Sequence, residues 1–335
     1  MNIGEIARRA GVSRSTVSYA LSGKRTVSDA TRRRILRIIA EAGYRPNASA
    51  RALAEGRTRT IALVIPPAGP RLTPVQLGFV ASVVAAAGRY ELDVLLSPSG
   101  GERDRSFERI VAGRRVDGVI LMEVRLEDAR AASLREARLP FVAIGHTADA
   151  LPGCWVDLDY EGLVASCVEH LADLGHRAIA LVNRPQEFLD LGYGPARRAL
   201  DGFTAATAAR GLDGIALCCA DAAMAGESCV EDLLATHPQV TGLVTVNEAA
   251  LPGLERGLRR LGRAIPGLFS VTGVVGQHWA EEFHPPLTAA DVPIVAMADR
   301  AVELLAERIS DPDAPARHVL LSPPISLRAS TAPPA

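Results

Sequence analysis

The chain has 335 residues, 48% of them hydrophobic, and a formal net charge of −1. That is material for two or three domains with proper cores, and no apolar run approaches a membrane span, so no membrane partner is expected. With a polar N-terminus, no signal peptide and five cysteines (Cys154, Cys167, Cys218, Cys219, Cys229) lacking any C-x-x-C pair, the expectation is a cytoplasmic protein with reduced, mostly core, cysteines.

From the N-terminus, Asn2 can cap a first helix, with Glu5 three residues on to complete a capping box. Ile3, Ile6, Ala7 and Ala10 then share a face, and Gly11 supplies the backbone freedom to end the helix and turn sharply. Ser13 caps a second helix in which Val17, Ala20 and Leu21 recur at helical spacing, while Arg14, Ser15, Ser18 and Tyr19 point elsewhere. Ser28 opens a third helix whose Ile35, Leu36, Ile38, Ile39 and Ala42 close a three-helix core, and Gly43 stops it. Gly11 to Leu21 reads as the turn and second helix of a helix-turn-helix. Charge supports a DNA-reading module: residues 1–60 carry 13 Lys or Arg against four Asp or Glu, a net +9, and residues 61–335 carry −10. After the connector Tyr44-Arg45-Pro46-Asn47, residues 48–54 are helix-prone but too short to be stable alone in water, so that run is expected to order on a partner.

Beyond residue 60 the texture changes to short apolar strands alternating with helices. Strands are predicted at 61–65, 92–96, 117–122 and 141–144, with helices at 75–89, 102–113 and 127–137. A second set has strands at 178–182, 215–219, 242–246 and 270–275, and helices at 161–174, 196–210, 227–235 and 249–261. The tail gives a helix through 309 and short strands at 319–321 and 325–328, with residues 332–335 frayed. Such alternation implies an α/β core of parallel sheets covered by helices, in two lobes, with ligands expected in the cleft beside the strands' carboxyl ends.

The sequence resembles the LacI/GalR-type transcriptional regulators along nearly its whole length. Gly11-Val12-Ser13-Arg14-Ser15-Thr16-Val17-Ser18, Val27-Ser28-Asp29-Ala30-Thr31 and Gly43-Tyr44-Arg45-Pro46-Asn47 carry the match in the head-piece. Leu174-Gly175-His176-Arg177-Ala178-Ile179-Ala180, Val246-Asn247, Pro285-Pro286-Leu287-Thr288 and Leu327-Arg328-Ala329-Ser330-Thr331 carry it through the core. The resemblance implies a helix-turn-helix domain over 1–46, a hinge helix and linker over 47–60, and a periplasmic-binding-protein-like core over 61–331. The first lobe of that core would take 61–157 and 291–317, the second 158–290 and 318–331.

It further implies a homodimer on a palindromic double-stranded operator, most often as a repressor, controlled by a small molecule that is sugar-like in the family. Arg14, Ser15 and Tyr19 would face base edges in the major groove, Arg14 being able to make a bidentate contact to guanine. Asn2, Ser13, Thr16, Ser18, Ser22, Thr26, Ser28 and Thr31 would sit near phosphates. Asn47, Ala50 and Leu53 would belong to the hinge that enters the minor groove, with Leu53 wedging a central base step open. Effector candidates are His146, Arg197, Arg198, Asn247 and Glu248, the last standing where most members carry Asp.

Two departures weaken the sugar expectation. Gly273-Val274-Val275-Gly276 stands where most members have an acidic pair, and Ala199 where many have an effector-binding arginine. A non-sugar effector, or none, therefore stays open, and the residues do not decide between repressor and activator. Catalysis finds no support: Lys24 lacks a phosphate-loop context, since Ser18 and Arg25 occupy the positions of its glycine and Ser/Thr, and there is no G-x-S-x-G or H-E-x-x-H. His170/His176 and His278/His284 are six apart, which is not helical metal-ligand spacing, so neither metal nor cofactor is expected.

Overall fold

In the computed structural model the described residues are 2–22, 25–42, 56–66, 72–98, 105–113, 115–148 and 153–335. Gly43, Asn47, Ala50 and Leu53 lie outside them, as does the side chain of Ser22. Helix α1 (Ile3–Ala10) starts where Asn2 Oδ1 accepts from the Glu5 amide at 3.0 Å. The box is only half closed, because the Glu5 carboxylate lies 3.8 Å from Arg8 instead of returning to Asn2. Gly11, at φ 62°, takes the left-handed conformation that ends α1, and Val12 N–H bonds back to Ala7. Helices α2 (Arg14–Ser22) and α3 (Asp29–Glu41) follow, Ser28 capping α3 through the Thr31 amide.

Ile6, Ala7, Ala10, Val17, Ala20 and Ile35 form the head-piece core, with Ile3, Val12, Val27, Ile38 and Ile39 packed on it. Leu21 and Leu36, expected inside, are 36% and 47% exposed. Each directly follows a buried residue, Ala20 or Ile35, and one helical step of about 100° carries it off a core too small to cover both.

The core begins with β1 (Thr60–Ile65), α4 (Pro74–Gly88), β2 (Asp93–Pro98), α5 (Arg105–Gly113), β3 (Gly118–Leu121), α6 (Ala129–Glu136), β4 (Phe141–Ile144) and β5 (Cys154–Leu158). The second lobe holds α7 (Tyr160–Asp173), β6 (Ala178–Asn183), α8 (Gln186–Asp190), α9 (Gly194–Ala209), β7 (Asp213–Cys218), α10 (Ala223–Thr236), β8 (Gly242–Thr245), α11 (Leu251–Arg260), β9 (Ser270–Val275), α12 (Gln277–Glu282) and β10 (Thr288–Asp291). The chain ends with α13 (Ile294–Ser310), β11 (His318–Leu321) and β12 (Ile325–Ser326).

Two six-stranded sheets result, ordered β11-β5-β4-β3-β1-β2 and β12-β10-β9-β8-β6-β7, with every pairing parallel except β10 with β12. Their central strands are buried on both faces, as parallel sheets covered by helices require.

Two strands escaped the sequence reading. β5 is Cys-Trp-Val-Asp-Leu and β10 is Thr-Ala-Ala-Asp, short runs with little β-branched content. They form because both edges find partners: β5 between β4 and β11, β10 between β9 and β12. The tail also departs from expectation. β11 pairs with β5 in the first sheet, so the last crossing falls between Leu321 and Ile325 rather than before residue 318. The C-terminus is not frayed at Ala332, whose amide donates to Ser270 Oγ at 3.1 Å and whose carbonyl lies 3.0 Å from His176 Nε2. The chain thus passes between lobes three times, after Leu158, after Asp291 and after Leu321, and the cleft opens where these crossings meet the strands' carboxyl ends.

Candidate functional site

The residues proposed to face DNA cluster at helix starts. Ser13 Oγ caps α2 by accepting from Thr16 N–H at 3.1 Å and contacts the hydroxyls of Ser15 (2.7 Å) and Thr16 (2.8 Å). Asn2 and Ser28 are likewise caps. Helix N-termini present unpaired amides and a positive dipole end, so hydroxyl caps there suit a phosphate. Thr31 Oγ1 accepts from Ser28, and Thr26 is exposed.

Ser15 is exposed, while Ser18 and Tyr19 are half-buried on α2, Tyr19 lying 5.3 Å from the Arg25 guanidinium. Arg14 lies across Gly4, so closely that a Cβ there would sit 2.8 Å from its Nε. Gly4 is what leaves the guanidinium room.

The cleft between lobes holds a cavity lined by residues of both lobes. Its polar floor comes from loops at strand ends: Glu123 after β3, Asp157 on β5, Arg184 after β6, Asp221 after β7, Asn247 and Glu248 after β8. Arg184 grips Asp221 bidentately at 3.0 and 2.7 Å and lies 4.7 Å from the Phe188 ring and 5.7 Å from that of Tyr193. Gln76, buried at the start of α4, donates to Glu123 Oε1 at 3.0 Å. Tyr160, Tyr193, Phe79 and Trp279 add aromatic surface.

Of the five effector candidates, Asn247 and Glu248 line this cavity. Asn247 is fully buried: its amide donates to Cys219 O at 2.8 Å, and its Oδ1 caps the short 3₁₀ turn Glu248–Ala250. His146 and Arg198 stand behind the wall. His146 Nδ1 is 2.7 Å and Arg198 Nη1 3.2 Å from Asp157 Oδ2, and it is Asp157 that reaches the cavity. Arg197 is exposed and outside the lining.

Sequence reasoning missed Arg184, Asp221, Glu123, Gln76 and Asp157. Arg184, Asp221 and Glu123 were findable, because each follows a predicted strand's carboxyl end, the rule already used to choose Asn247.

Glu248 is half-buried at the cavity wall, and desolvation pushes its carboxyl up to about 7, against the Gly276 amide and Arg184, which favour the charged form, and together with Asp221, which opposes it. A carboxyl whose folded pKa lies above its unfolded value binds protons more tightly when folded, so its stabilising contribution is present in acid and is lost as pH rises toward about 7. Urea melts at pH 5 and pH 8 are expected to show that loss, and Glu248→Gln to flatten it; an unchanged pH slope in the variant would refute the assignment.

Comparison with known proteins identifies the arrangement. Residues 2–47 match the bacterial regulatory proteins of the lacI family, and residues 168–331 match a periplasmic binding protein-like domain. The HTH-type transcriptional regulator CelR of Thermobifida fusca is 32% identical over 313 residues, 91% of each chain. The chain belongs to the LacI family. A second match, to the HTH-type transcriptional regulator RafR of Escherichia coli, has 31% identity over 314 residues, 93% of this chain and 90% of that one.

Among solved structures, a transcriptional regulator CelR–cellobiose complex superposes with TM-score 0.72 at 28% identity, covering 98% of this chain and 99% of that one. The lac repressor dimer bound to operator and the anti-inducer ONPF superposes with TM-score 0.86 at 23% identity, over 99% of each chain, a likeness of fold. This LacI-family chain is a sequence-specific DNA-binding transcriptional regulator, not an enzyme.

Proposed function

We propose that the chain works in the cytoplasm as a homodimeric repressor on a palindromic operator, controlled by a saccharide bound between its lobes. The observation that carries the ligand reading is the cleft lining: an Arg184–Asp221 fork, Glu123, Gln76, Asp157 and Glu248 around the rings of Tyr160, Tyr193 and Trp279. Fixed donors and acceptors suit hydroxyl groups, and flat rings suit the apolar faces of pyranoses. These groups replace the polar handles whose loss at Ala199 and Gly273 to Gly276 argued for a less polar ligand. That a 28%-identical relative was solved with cellobiose adds weight. Calorimetry against a panel of mono- and disaccharides, cellobiose first, tests the reading; silence across the panel sinks it.

In this reading residues 1–46 read the operator, with Arg14, Ser15 and Tyr19 on base edges and Asn2, Ser13, Thr16, Ser18, Ser22, Thr26, Ser28 and Thr31 near phosphates. Residues 47–60 form the hinge and linker, and Asn47, Ala50 and Leu53 meet the minor groove. Dimerisation is supported by α4, where Leu77 and Val84, seven residues apart on one face, are 53% and 50% exposed.

Once operators are obtained by selecting bound sequences from random DNA, Leu53→Ala is expected to weaken binding at least tenfold and to reduce DNA bending. Removing the wedge forfeits contacts that repay a few kcal/mol of base unstacking. Unchanged affinity and bend angle in gel-shift assays would reject the wedge.

A further inference from the structure

Five charged side chains line the cleft, and four of them are acids: Glu123, Asp157, Asp221 and Glu248 against Arg184. Three of the four have partners. Arg184 forks onto Asp221, His146 and Arg198 meet Asp157 from behind the wall, and Glu248 accepts the Gly276 amide. Glu123 differs. Its Oε1 accepts from the neutral Gln76 amide at 3.0 Å, while its Oε2 is buried and makes no hydrogen bond. The ion pairs of the cleft, Arg184 with Asp221 and Arg198 with Asp157, leave Glu123 out.

The backbone holds this carboxylate in place from both lobes. Glu123 sits at φ 52°, in the left-handed region that non-glycine residues adopt rarely and mostly at functional sites. Arg130 Nη2 donates to its carbonyl at 3.0 Å, and the next residues bridge to the second lobe: Leu126 N–H donates to Gly192 O at 2.7 Å and Gly194 N–H to Val124 O at 3.2 Å. From that lobe Arg184 feels the charge of Glu123, though both branches of its fork are committed to Asp221. The Tyr193 hydroxyl, pushed up chiefly by burial and then by Glu123, stays neutral beside it.

We propose that the ligand of the cleft is an amino sugar, and that Glu123 is the residue that selects its protonated amine. This deepens the saccharide reading above and rests on it. A sugar hydroxyl would satisfy the bare oxygen, but it would leave a negative charge shut away from water as the lobes close. An ammonium group supplies the hydrogen bond and the opposite charge together. The rings of Phe79, Tyr160, Tyr193 and Trp279 around the same cavity also favour a cation. Because the bridge beside Glu123 joins the lobes, a ligand that pairs with this carboxylate stabilises the joined arrangement.

The test is calorimetry on the full-length protein with matched sugars. Cellobiose is compared with the β-linked glucosamine dimer, which carries an amine in place of one hydroxyl on each ring, and with diacetylchitobiose, in which acetylation removes the charge. Glucose with glucosamine and galactose with galactosamine repeat the comparison for single rings. The amine is expected to tighten binding about tenfold in at least one pair, and acetylation to remove the gain. Glu123→Gln is expected to equalise the pair, and Glu123→Asp, which keeps the charge on a shorter stem, to retain part of the preference. Neutral sugars that bind as well as their amines overturn the proposal and leave the saccharide reading standing. Silence with every sugar, charged or neutral, removes both. A preference that survives Glu123→Gln and disappears in Glu248→Gln overturns the assignment to Glu123. Circular dichroism verifies folding of each variant, and the wild-type comparison decides the amine question even where a variant misfolds.

Discussion

Arg184→Ala is expected to abolish saccharide binding and to cost about 3–5 kcal/mol of stability, the range for removing one partner of a buried ion pair. The side chains of Arg184 and Asp221 are only 18% and 14% exposed. Deleting the guanidinium strands the Asp221 carboxylate, removes a cation from beside Glu248, and takes away the stacking of Arg184 on Phe188 and Tyr193. Arg184→Lys keeps the charge but not the bidentate geometry, and is expected to recover part of the stability and little of the binding. Urea melts and calorimetry measure the two effects separately. An Arg184→Ala protein with wild-type stability would show that the fork does not hold the cleft together.

The second large effect is expected at Gly253, where α10 and α11 touch. A Cβ built on Gly253 falls 1.7 Å from the Ala223 carbonyl oxygen and 2.8 Å from the Glu227 amide nitrogen. Both are main-chain atoms, so no rotamer relieves the overlap and the helices must separate. Gly226 makes the reciprocal approach, its Cβ position lying 2.3 Å from the Ala250 oxygen, whereas at Gly257 the nearest atom is 3.1 Å away. Gly253→Ala is therefore expected to destabilise by about 3 kcal/mol or more, the upper end of overpacking costs, and Gly257→Ala by much less. Equal midpoints for the two variants in urea would contradict this graded seam.

Much of this architecture was readable in the residues. The caps at Asn2, Ser13 and Ser28 are side-chain chemistry acting within three residues, and strands such as Phe141–Ile144 and Ser270–Val275 are apolar runs bounded by turns. What stayed hidden depends on distant partners. β10 is a strand because β9 and β12 flank it, and nothing in Thr-Ala-Ala-Asp says so. His146 follows a strand end and Arg198 lies in the second turn of α9, yet which of two adjacent layers lines the cavity depends on Asp157, on a strand the sequence pattern did not reveal. The cleft's missing polar handles were judged from two positions in the family pattern, while Arg184 and Asp221 supply the charge from neighbouring strands.

The three passes between lobes set the order in which the protein is finished during synthesis. The head-piece, with its own small core, is complete by residue 42. The first lobe still lacks its covering helix α13 and its edge strand β11, and the second lacks β12, until residues 294–326 have been made. A stop codon anywhere between residue 61 and Ile294 thus releases DNA-reading helices without a complete regulatory core, and removes an edge from both sheets at one stroke.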